Sequence, residues 1–197
     1  MNVFITGFER SGTTLLRRIV SMWPGFHMDL IHEEKKLFTY KTAQEAENNY
    51  FNEYSHIKCG EKVPYYGNTH FIVNYISKFR EFWPDSMIFH MLRTPEQVIK
   101  SCKRTFMRPT NLTEKVYNND LLIMTNYLRE EPNCIGINYD NLIQNPKEMV
   151  KLIYERLGSV PGDDVIEKII STKDPWELNG KRMCGLRYSD RVGRIKH

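Results

Sequence analysis

Apolar residues along the chain alternate between short continuous runs and helical spacing. The first run covers residues 3–6 and ends at Gly7, and from Thr13 apolar residues recur every three to four positions. This pattern predicts a strand, a glycine loop and a helix. A second run, Met87–Leu92, is nearly continuous and ends at Arg93, as is typical of a central parallel strand covered on both faces.

The same pattern continues to the C-terminal third of the chain. Thr94, Pro95 and Gln97 form a helix start, with a capping residue, a proline at the first helical position and a glutamine three residues after the cap. The remaining predicted elements are helices over 69–82, 114–129 and 146–157 and a strand over 134–139. Strands and helices that alternate with short connections predict an α/β fold, with a central parallel sheet and helices on both faces, in a single domain over 1–197.

Composition supports one folded domain. Of the 197 residues, 41% are hydrophobic and 12% aromatic, which is enough for a core and excludes disordered or collagen-like classes. No apolar run is long enough to span a membrane and the chain starts without an export signal, so we expect a cytoplasmic protein with no membrane partner. The four cysteines form no C-x-x-C pair, and we therefore expect reduced thiols and no metal site.

Charge favours an anionic ligand. The net charge of +4 is well short of that of a nucleic-acid-binding tail, so no nucleic-acid partner is expected. Basic residues are concentrated in 180–197, where apolar periodicity is weak. We interpret this basic, loop-like segment as either a solvated tail or a flap that closes over an anion.

The glycine loop carries the clearest chemical signal. Gly7 and Gly12 have the G-x-x-x-x-G spacing of a phosphate loop, and they lie between the first strand and the first helix. There, backbone N–H groups and the helix N-terminus attract an anion. Hydroxyl donors are also available, at Ser11, Thr13 and Thr14. Position 13 holds threonine where a nucleotide triphosphatase holds lysine, which argues against γ-phosphoryl transfer, whereas Arg10 supplies a different cation. The loop thus predicts a P-loop-type fold with a phosphate or sulfate site.

Several segments together resemble the sulfotransferases that use 3′-phosphoadenosine 5′-phosphosulfate. Residues 10–16, R-S-G-T-T-L-L, are similar to the 5′-phosphosulfate loop of the tyrosylprotein and bacterial members. Arg93 followed by Ser101 resembles the family's 3′-phosphate site. Three further segments follow the family's motifs: E-K-V-P-Y around Lys62, Y-D-N-L-I-Q-N-P from Tyr139, and the basic flap S-D-R-V-G-R that ends at Arg194.

This resemblance implies an enzyme of the sulfotransferase class, EC 2.8.2-like. It would move a sulfuryl group from 3′-phosphoadenosine 5′-phosphosulfate to a hydroxyl or amine, leave 3′,5′-diphosphoadenosine, and need no metal. The resemblance assigns donor binding to the following residues: Arg10, Ser11, Gly12, Thr13, Thr14, Arg93, Ser101, Tyr139 and Arg194.

The resemblance also assigns the catalytic roles. Arg10 and Lys62 would stabilise the leaving phosphate, and Glu34 would be the general base. Glu34 precedes Phe38 by four residues, as the catalytic glutamate does in heparan sulfate enzymes, and the pair with Glu33 is similar to that of the tyrosylprotein enzymes. Glu33 and His32 remain alternative bases.

Two other functions are compatible with the residues. A nucleotide or small-molecule kinase shares the loop spacing, and a non-catalytic module could bind an anion with the loop and the basic segment. The acceptor could be a small molecule, a carbohydrate or a tyrosyl peptide. The sequence leaves the oligomeric state open.

Overall fold

The computed structural model describes residues 2–23, 26–27, 41–42, 44–45, 58–62, 69–105, 113–171, 177–178 and 181–182. The chain divides into two compact units, Met1–Val160 and Pro161–His197. The α/β class with a parallel sheet is confirmed. The assignment of all 197 residues to a single domain stays a prediction.

The first unit is built on a five-stranded parallel sheet. Its strands are β1 Val3–Gly7, β2 Phe26–His27, β3 Lys58–Lys62, β4 Met87–Leu92 and β5 Cys134–Asn138. Their spatial order is β2-β3-β1-β4-β5, so β2 and β3 lie on one side of β1, with β3 next to it, and the chain then crosses to the other side for β4 and β5. The carboxyl ends of β1 and β4 therefore flank a topological switch point, the place where open parallel sheets bind ligands.

Six helices of the first unit lie within the described ranges. They are α1 Thr13–Ser21, α2 Thr69–Phe82, α3 Pro95–Thr105, α4 Glu114–Arg129, α5 Tyr139–Gln144 and α6 Pro146–Arg156. In the second unit, α7 Asp163–Ser171 is followed by an antiparallel pair, β6 Glu177–Leu178 and β7 Lys181–Arg182. None of the described helices is long and apolar enough to cross a membrane.

The elements predicted within the first unit are confirmed, but several other described elements were not predicted, among them β3 and α5. Strand β3 reads K-C-G-E-K and has no apolar run, whereas α5 is only six residues long and too short for a helical period. Helix α7 was also missed. One prediction is wrong in part: Lys181 and Arg182 pair with β6 as a short strand, whereas the basic segment was expected to be loop-like from that point.

The two faces of the sheet bury different side chains. Phe4 of β1 and Ile88 of β4 are neighbours in register and join a cluster of buried residues from α2, α3 and α4. Ile5 and Phe89 are also in register and, by the two-residue period of a strand, point to the opposite face. Full burial of each such side chain contributes about 1.5–3 kcal/mol before the entropic cost of ordering it. This core fixes the positions of β1 and β4 relative to each other.

Candidate functional site

The turn into α1 depends on Gly12. Its φ of 108° lies in the left-handed region, and its carbonyl accepts hydrogen bonds from the N–H groups of Leu15 and Leu16 at 2.9 and 3.2 Å. A Cβ at this position would lie 2.8 Å from Cε2 of Tyr139, so the aromatic ring packs directly on the glycine. The N-cap residue, Gly12, has no side chain that could bond to the first N–H groups of α1, and these groups are therefore suited to an anion.

Arg10 gives the loop its second unusual backbone conformation. Its φ of 71° is left-handed, which is uncommon for a residue with a side chain. The turn is closed by a 2.9 Å hydrogen bond from the N–H of Ser11 to the carbonyl of Phe8. The carbonyl of Arg10 accepts a hydrogen bond from Nη1 of Arg93 at 3.0 Å. Arg93 therefore stabilises the conformation of the glycine loop.

Ser11 supplies a buried hydroxyl in the loop. It is fully buried, and its Oγ has no hydrogen-bond partner in the part of the chain that the structure describes. A Cβ on Gly7 would lie 2.7 Å from this Oγ, so the glycine makes room for the hydroxyl. A buried polar group without a partner costs about 1–3 kcal/mol, and a bound anion would remove that cost. The loop therefore fits a phosphate or sulfate group.

Arg93, at the carboxyl end of β4, is held from several sides. Its Nε donates to Oε1 of Gln97 at 2.9 Å, and its Cζ lies 4.0 Å from the centroid of the Tyr139 ring. Its carbonyl accepts a hydrogen bond from the hydroxyl of Tyr117. Burial raises the pKa of that phenol, and the positive charge of Arg93 partly opposes this shift. The ring of Tyr117 packs on Phe8 of the loop, with centroids 4.7 Å apart.

Ser101 brings α3 into the site. Its Oγ accepts a hydrogen bond from Nε of Arg10 at 3.3 Å, although the two residues are 91 positions apart in the sequence. Residues from the glycine loop, the end of β4, α3 and the start of α5 thus form one cluster. Its members are Arg10, Gly12, Arg93, Ser101 and Tyr139.

The structure gives less detail for the other predicted site residues. Thr13 and Thr14 open α1, the first buried and the second exposed. The backbone of Lys62 ends β3, where its Cα pairs with Ile5 of β1, so it lies beside the strand that leads into the loop. Glu34 and Arg194 lie outside the described residues, as do the alternative bases His32 and Glu33.

Two polar residues that adjoin this cluster, Gln97 and Asp140, were not predicted as site residues. Gln97 was interpreted as part of a capping box, yet its side chain contacts Arg93 and donates from Nε2 to Oδ2 of Asp140 at 3.4 Å. Asp140 belongs to the segment that begins at Tyr139, where the sequence pattern gives it no role of its own. The sequence does carry a signal for Gln97: it lies four residues after Arg93, and side chains four residues apart at a helix start can contact each other.

Cys102 follows Ser101 but has the properties of a structural thiol. It is buried, and burial raises the pKa of its thiol. The nearby Glu9 carboxylate raises that pKa further, and Arg10 opposes both effects. A neutral thiol is a poor nucleophile, so we assign Cys102 to the core.

Comparisons with known proteins give a consistent result. A family model described as the sulfotransferase family matches residues 26–160. A search of curated proteins gives no match.

Several solved structures are similar in fold. The sulfotransferase domain from the curacin biosynthetic pathway has a TM-score of 0.69 at 14% identity, over 91% of this chain and 81% of that domain. The sulfotransferase domain of the Synechococcus PCC 7002 olefin synthase has a TM-score of 0.65 at 18% identity, over 94% and 84% of the two chains. Mouse sulfotransferase SULT7A1 complexed with PAP has a TM-score of 0.59 at 15% identity, over 88% and 64%. These identities are low, so the structural likeness establishes the fold.

Proposed function

The chain belongs to the sulfotransferase family and is an enzyme of sulfuryl transfer, and from this premise we propose that its donor is 3′-phosphoadenosine 5′-phosphosulfate. The proposed acceptor group is a hydroxyl or amine. We further propose that the glycine loop binds the 5′-phosphosulfate and that Arg93 and Ser101 bind the 3′-phosphate.

One observation supports this donor above all: two arginines from distant segments meet beside the glycine loop. Arg10 lies within the loop and Arg93 ends the neighbouring strand, and the hydrogen bond from Arg93 to the Arg10 carbonyl joins them. A donor with phosphates at both ends of its ribose needs two anion sites close together. The uncapped start of α1 and the buried Ser11 hydroxyl fit one of them, and the guanidinium of Arg93 fits the other. PAP is bound in the similar SULT7A1 structure.

The proposed reaction needs positioning and charge balance. The donor supplies an activated sulfuryl group. As the acceptor oxygen or nitrogen bonds to sulfur, the bond from sulfur to the bridging phosphate oxygen breaks, and the acceptor proton passes to the base. We assign the base to Glu34 and the balancing of charge on the bridging oxygen to Arg10 and Lys62.

A calorimetric titration tests the donor. We expect 3′,5′-diphosphoadenosine to bind more tightly than either adenosine 5′-monophosphate or ATP with magnesium. Arg93 also binds the Arg10 carbonyl, so Arg93→Ala can weaken the binding of any nucleotide. The informative value is therefore the affinity for 3′,5′-diphosphoadenosine divided by the affinity for adenosine 5′-monophosphate. Arg93→Ala should reduce this ratio about 10-fold or more, as expected for the loss of a charge-assisted hydrogen bond.

Arg129→Ala serves as the matched control, because it removes an exposed arginine from the end of α4. It should leave both affinities unchanged. A preference for magnesium-ATP would contradict the proposed donor and favour a kinase. Equal binding of 3′,5′-diphosphoadenosine and adenosine 5′-monophosphate by the wild-type protein would also contradict the proposed donor.

Glu34→Gln tests the base. The amide cannot accept the proton, so we expect turnover to be abolished while 3′,5′-diphosphoadenosine still binds. Single-turnover kinetics with the donor and a panel of acceptors gives this comparison. Full activity of the variant would transfer the role to Glu33 or His32.

Lys62→Ala tests the second catalytic cation. We expect kcat to fall by about 10²–10³-fold, as for the loss of one oxyanion donor, with a much smaller change in diphosphoadenosine affinity. Steady-state kinetics and calorimetry on the same preparation separate these effects. Loss of binding alone would show that Lys62 contributes to donor affinity and not to the chemical step.

The acceptor is proposed only as a class. A small molecule, a carbohydrate and a tyrosyl peptide each carry a suitable group, and a panel of all three with labelled donor distinguishes them. The cytoplasmic location, the role of Arg194 in a flap over the donor, and the lack of nucleic-acid or membrane partners stay predictions.

A further inference from the structure

We propose that Tyr117 is a positioning residue, which holds the glycine loop and the connection after β4 at the spacing that a donor with both a 5′- and a 3′-phosphate requires. Its side chain is too buried to contact such a donor, since the residue is only 1% exposed. It acts on the donor through the two segments that it joins. The inference rests on the proposed function, because it concerns the same two anion sites.

The pairing of β1 with β4 ends before either anion site begins. Its last register pair is Gly7 with Met91, and β4 itself ends at Leu92. Arg93 therefore lies in the short connection between β4 and α3, where its carbonyl accepts a hydrogen bond from the hydroxyl of Tyr117. This bond restrains the peptide group from which the Arg93 side chain extends. The position of the guanidinium thus depends on Tyr117.

The ring of Tyr117 makes the second contact, with the glycine loop. It packs on the ring of Phe8 with the centroids 4.7 Å apart, and Phe8 is equally buried. The carbonyl of Phe8 in turn accepts the hydrogen bond from the N–H of Ser11 that closes the loop. Close packing of two buried rings restrains the movement of one relative to the other. A single side chain therefore links the loop to the connection that carries Arg93.

Tyr117 is itself held at the start of α4. Its N–H donates to the carbonyl of Thr113 at 3.1 Å, and the Thr113 hydroxyl accepts from the N–H of Val116 at 3.3 Å. Burial raises the pKa of the phenol, so the hydroxyl stays protonated and remains a donor. The contacts of Tyr117 described above involve the backbone of Arg93 and not its guanidinium. They are therefore compatible with a phosphate bound to that guanidinium.

Tyr117→Phe tests the proposal because it keeps the ring on Phe8 and removes only the hydroxyl. A ligand with one phosphate can follow a small shift of one site, whereas a ligand with two phosphates needs both sites at the right spacing. By calorimetry, we expect the Kd for 3′,5′-diphosphoadenosine to rise at least about 5-fold and the Kd for adenosine 5′-monophosphate to change less than about 2-fold.

Tyr154→Phe is the matched control. Tyr154 is fully buried in α6, and its hydroxyl donates to the carbonyl of Ile19, near the other end of α1, at 3.0 Å. The variant loses the same kind of hydrogen bond away from the anion sites. It should lose stability in urea unfolding as Tyr117→Phe does, but it should leave the ratio of the two affinities unchanged.

A wild-type ratio of affinities in Tyr117→Phe would overturn the proposal, because a merely structural role lowers stability without changing that ratio. Phe8→Leu loosens the same contact from the loop side and should change the ratio in the same direction. It decides the question if the loss of the Tyr117 hydroxyl prevents folding. The donor proposal fails separately, because its failure requires that the wild-type protein itself does not prefer the diphosphate.

Discussion

At the scale of single residues, Gly12 carries two restrictions at once. Its backbone is left-handed, and the ring of Tyr139 occupies the space of a side chain. Gly158 shares the first restriction, with a φ of 84°, but a Cβ there would meet nothing within 4 Å. A comparison of substitutions at the two glycines therefore distinguishes the free-energy cost of the left-handed backbone from that of the contact with Tyr139.

Gly12→Ala should both destabilise the protein and displace Tyr139 from the site. We expect it to lose more than the roughly 1–2 kcal/mol that a left-handed alanine costs, together with most of the affinity for 3′,5′-diphosphoadenosine. Gly158→Ala should lose only the backbone cost and keep full affinity. Urea unfolding and calorimetry measure the two effects, and equal losses in both variants would show that the contact with Tyr139 is unimportant.

At the scale of elements, Arg80 joins the end of α2 to the segments that lead into β4 and β5. Its Nη1 donates to the carbonyls of Pro84 and Ser86, its Nη2 to the carbonyl of Pro132, and its Nε to Glu131 at 3.3 Å. Within the described part of the chain, the contacts of Lys78 on the same helix are an ion pair with the exposed Glu81 and a cation–π contact with Phe82. Arg80 therefore donates hydrogen bonds to three backbone carbonyls, whereas the contacts given above for Lys78 are with side chains.

Arg80→Ala should destabilise the protein by about 3 kcal/mol, since it removes charged hydrogen bonds and leaves carbonyl groups without their donor. Lys78→Ala should cost less than about 1 kcal/mol, because exposed ion pairs contribute little. The midpoints of urea unfolding give both values. A loss at Arg80 no larger than that at Lys78 would show that the arginine does not hold these elements together.

The elements also show which patterns can be read along the chain. Helices α2 and α4 and strand β4 have the predicted boundaries, because each buries a regular set of apolar side chains. Strand β3 carries no such set, and its place is determined by backbone pairing with β1 and β2. The site residues that depend on β3, above all Lys62, therefore could not be positioned from the local pattern.

At the scale of the whole molecule, His90 ties stability to pH. It lies in β4, an interior strand of the sheet, and is 4% exposed, and burial lowers its pKa to about 4. In the unfolded chain the pKa is near 6.5. Between these values the unfolded state binds the extra proton, so stability is fully present above pH 6.5 and falls as the pH drops toward 4.

We expect a loss of about 2 kcal/mol between pH 7 and pH 5 from this one residue. His90→Gln should make the unfolding free energy less dependent on pH in that window. His70→Gln, an exposed residue of α2, is the control and should keep the wild-type dependence. Urea unfolding at the two pH values measures this, and the same slope in all three proteins would rule out His90 as its source.

The sequence by itself determined the parts of the protein that depend on neighbouring residues. The glycine loop between a strand and a helix, the buried β4 and the pairing of Arg93 with a helix start all follow from spacing over a few residues. The joint occurrence of the motifs also indicated the family before any fold was known. These features are local because hydrophobic periodicity and turn chemistry act over one or two turns of chain.

Only the tertiary structure decided which of these residues meet. Arg10 contacts Ser101, and Tyr139 packs on Gly12. Both contacts arise because β4 lies next to β1 and β5 lies next to β4 in the sheet. The chain pattern does not encode this order, since parallel strands pair through backbone groups that every residue carries. Gln97 shows the same limit: its spacing favours a helix cap, and only the packing of α5 beside α3 brings Asp140 within hydrogen-bonding distance of its amide.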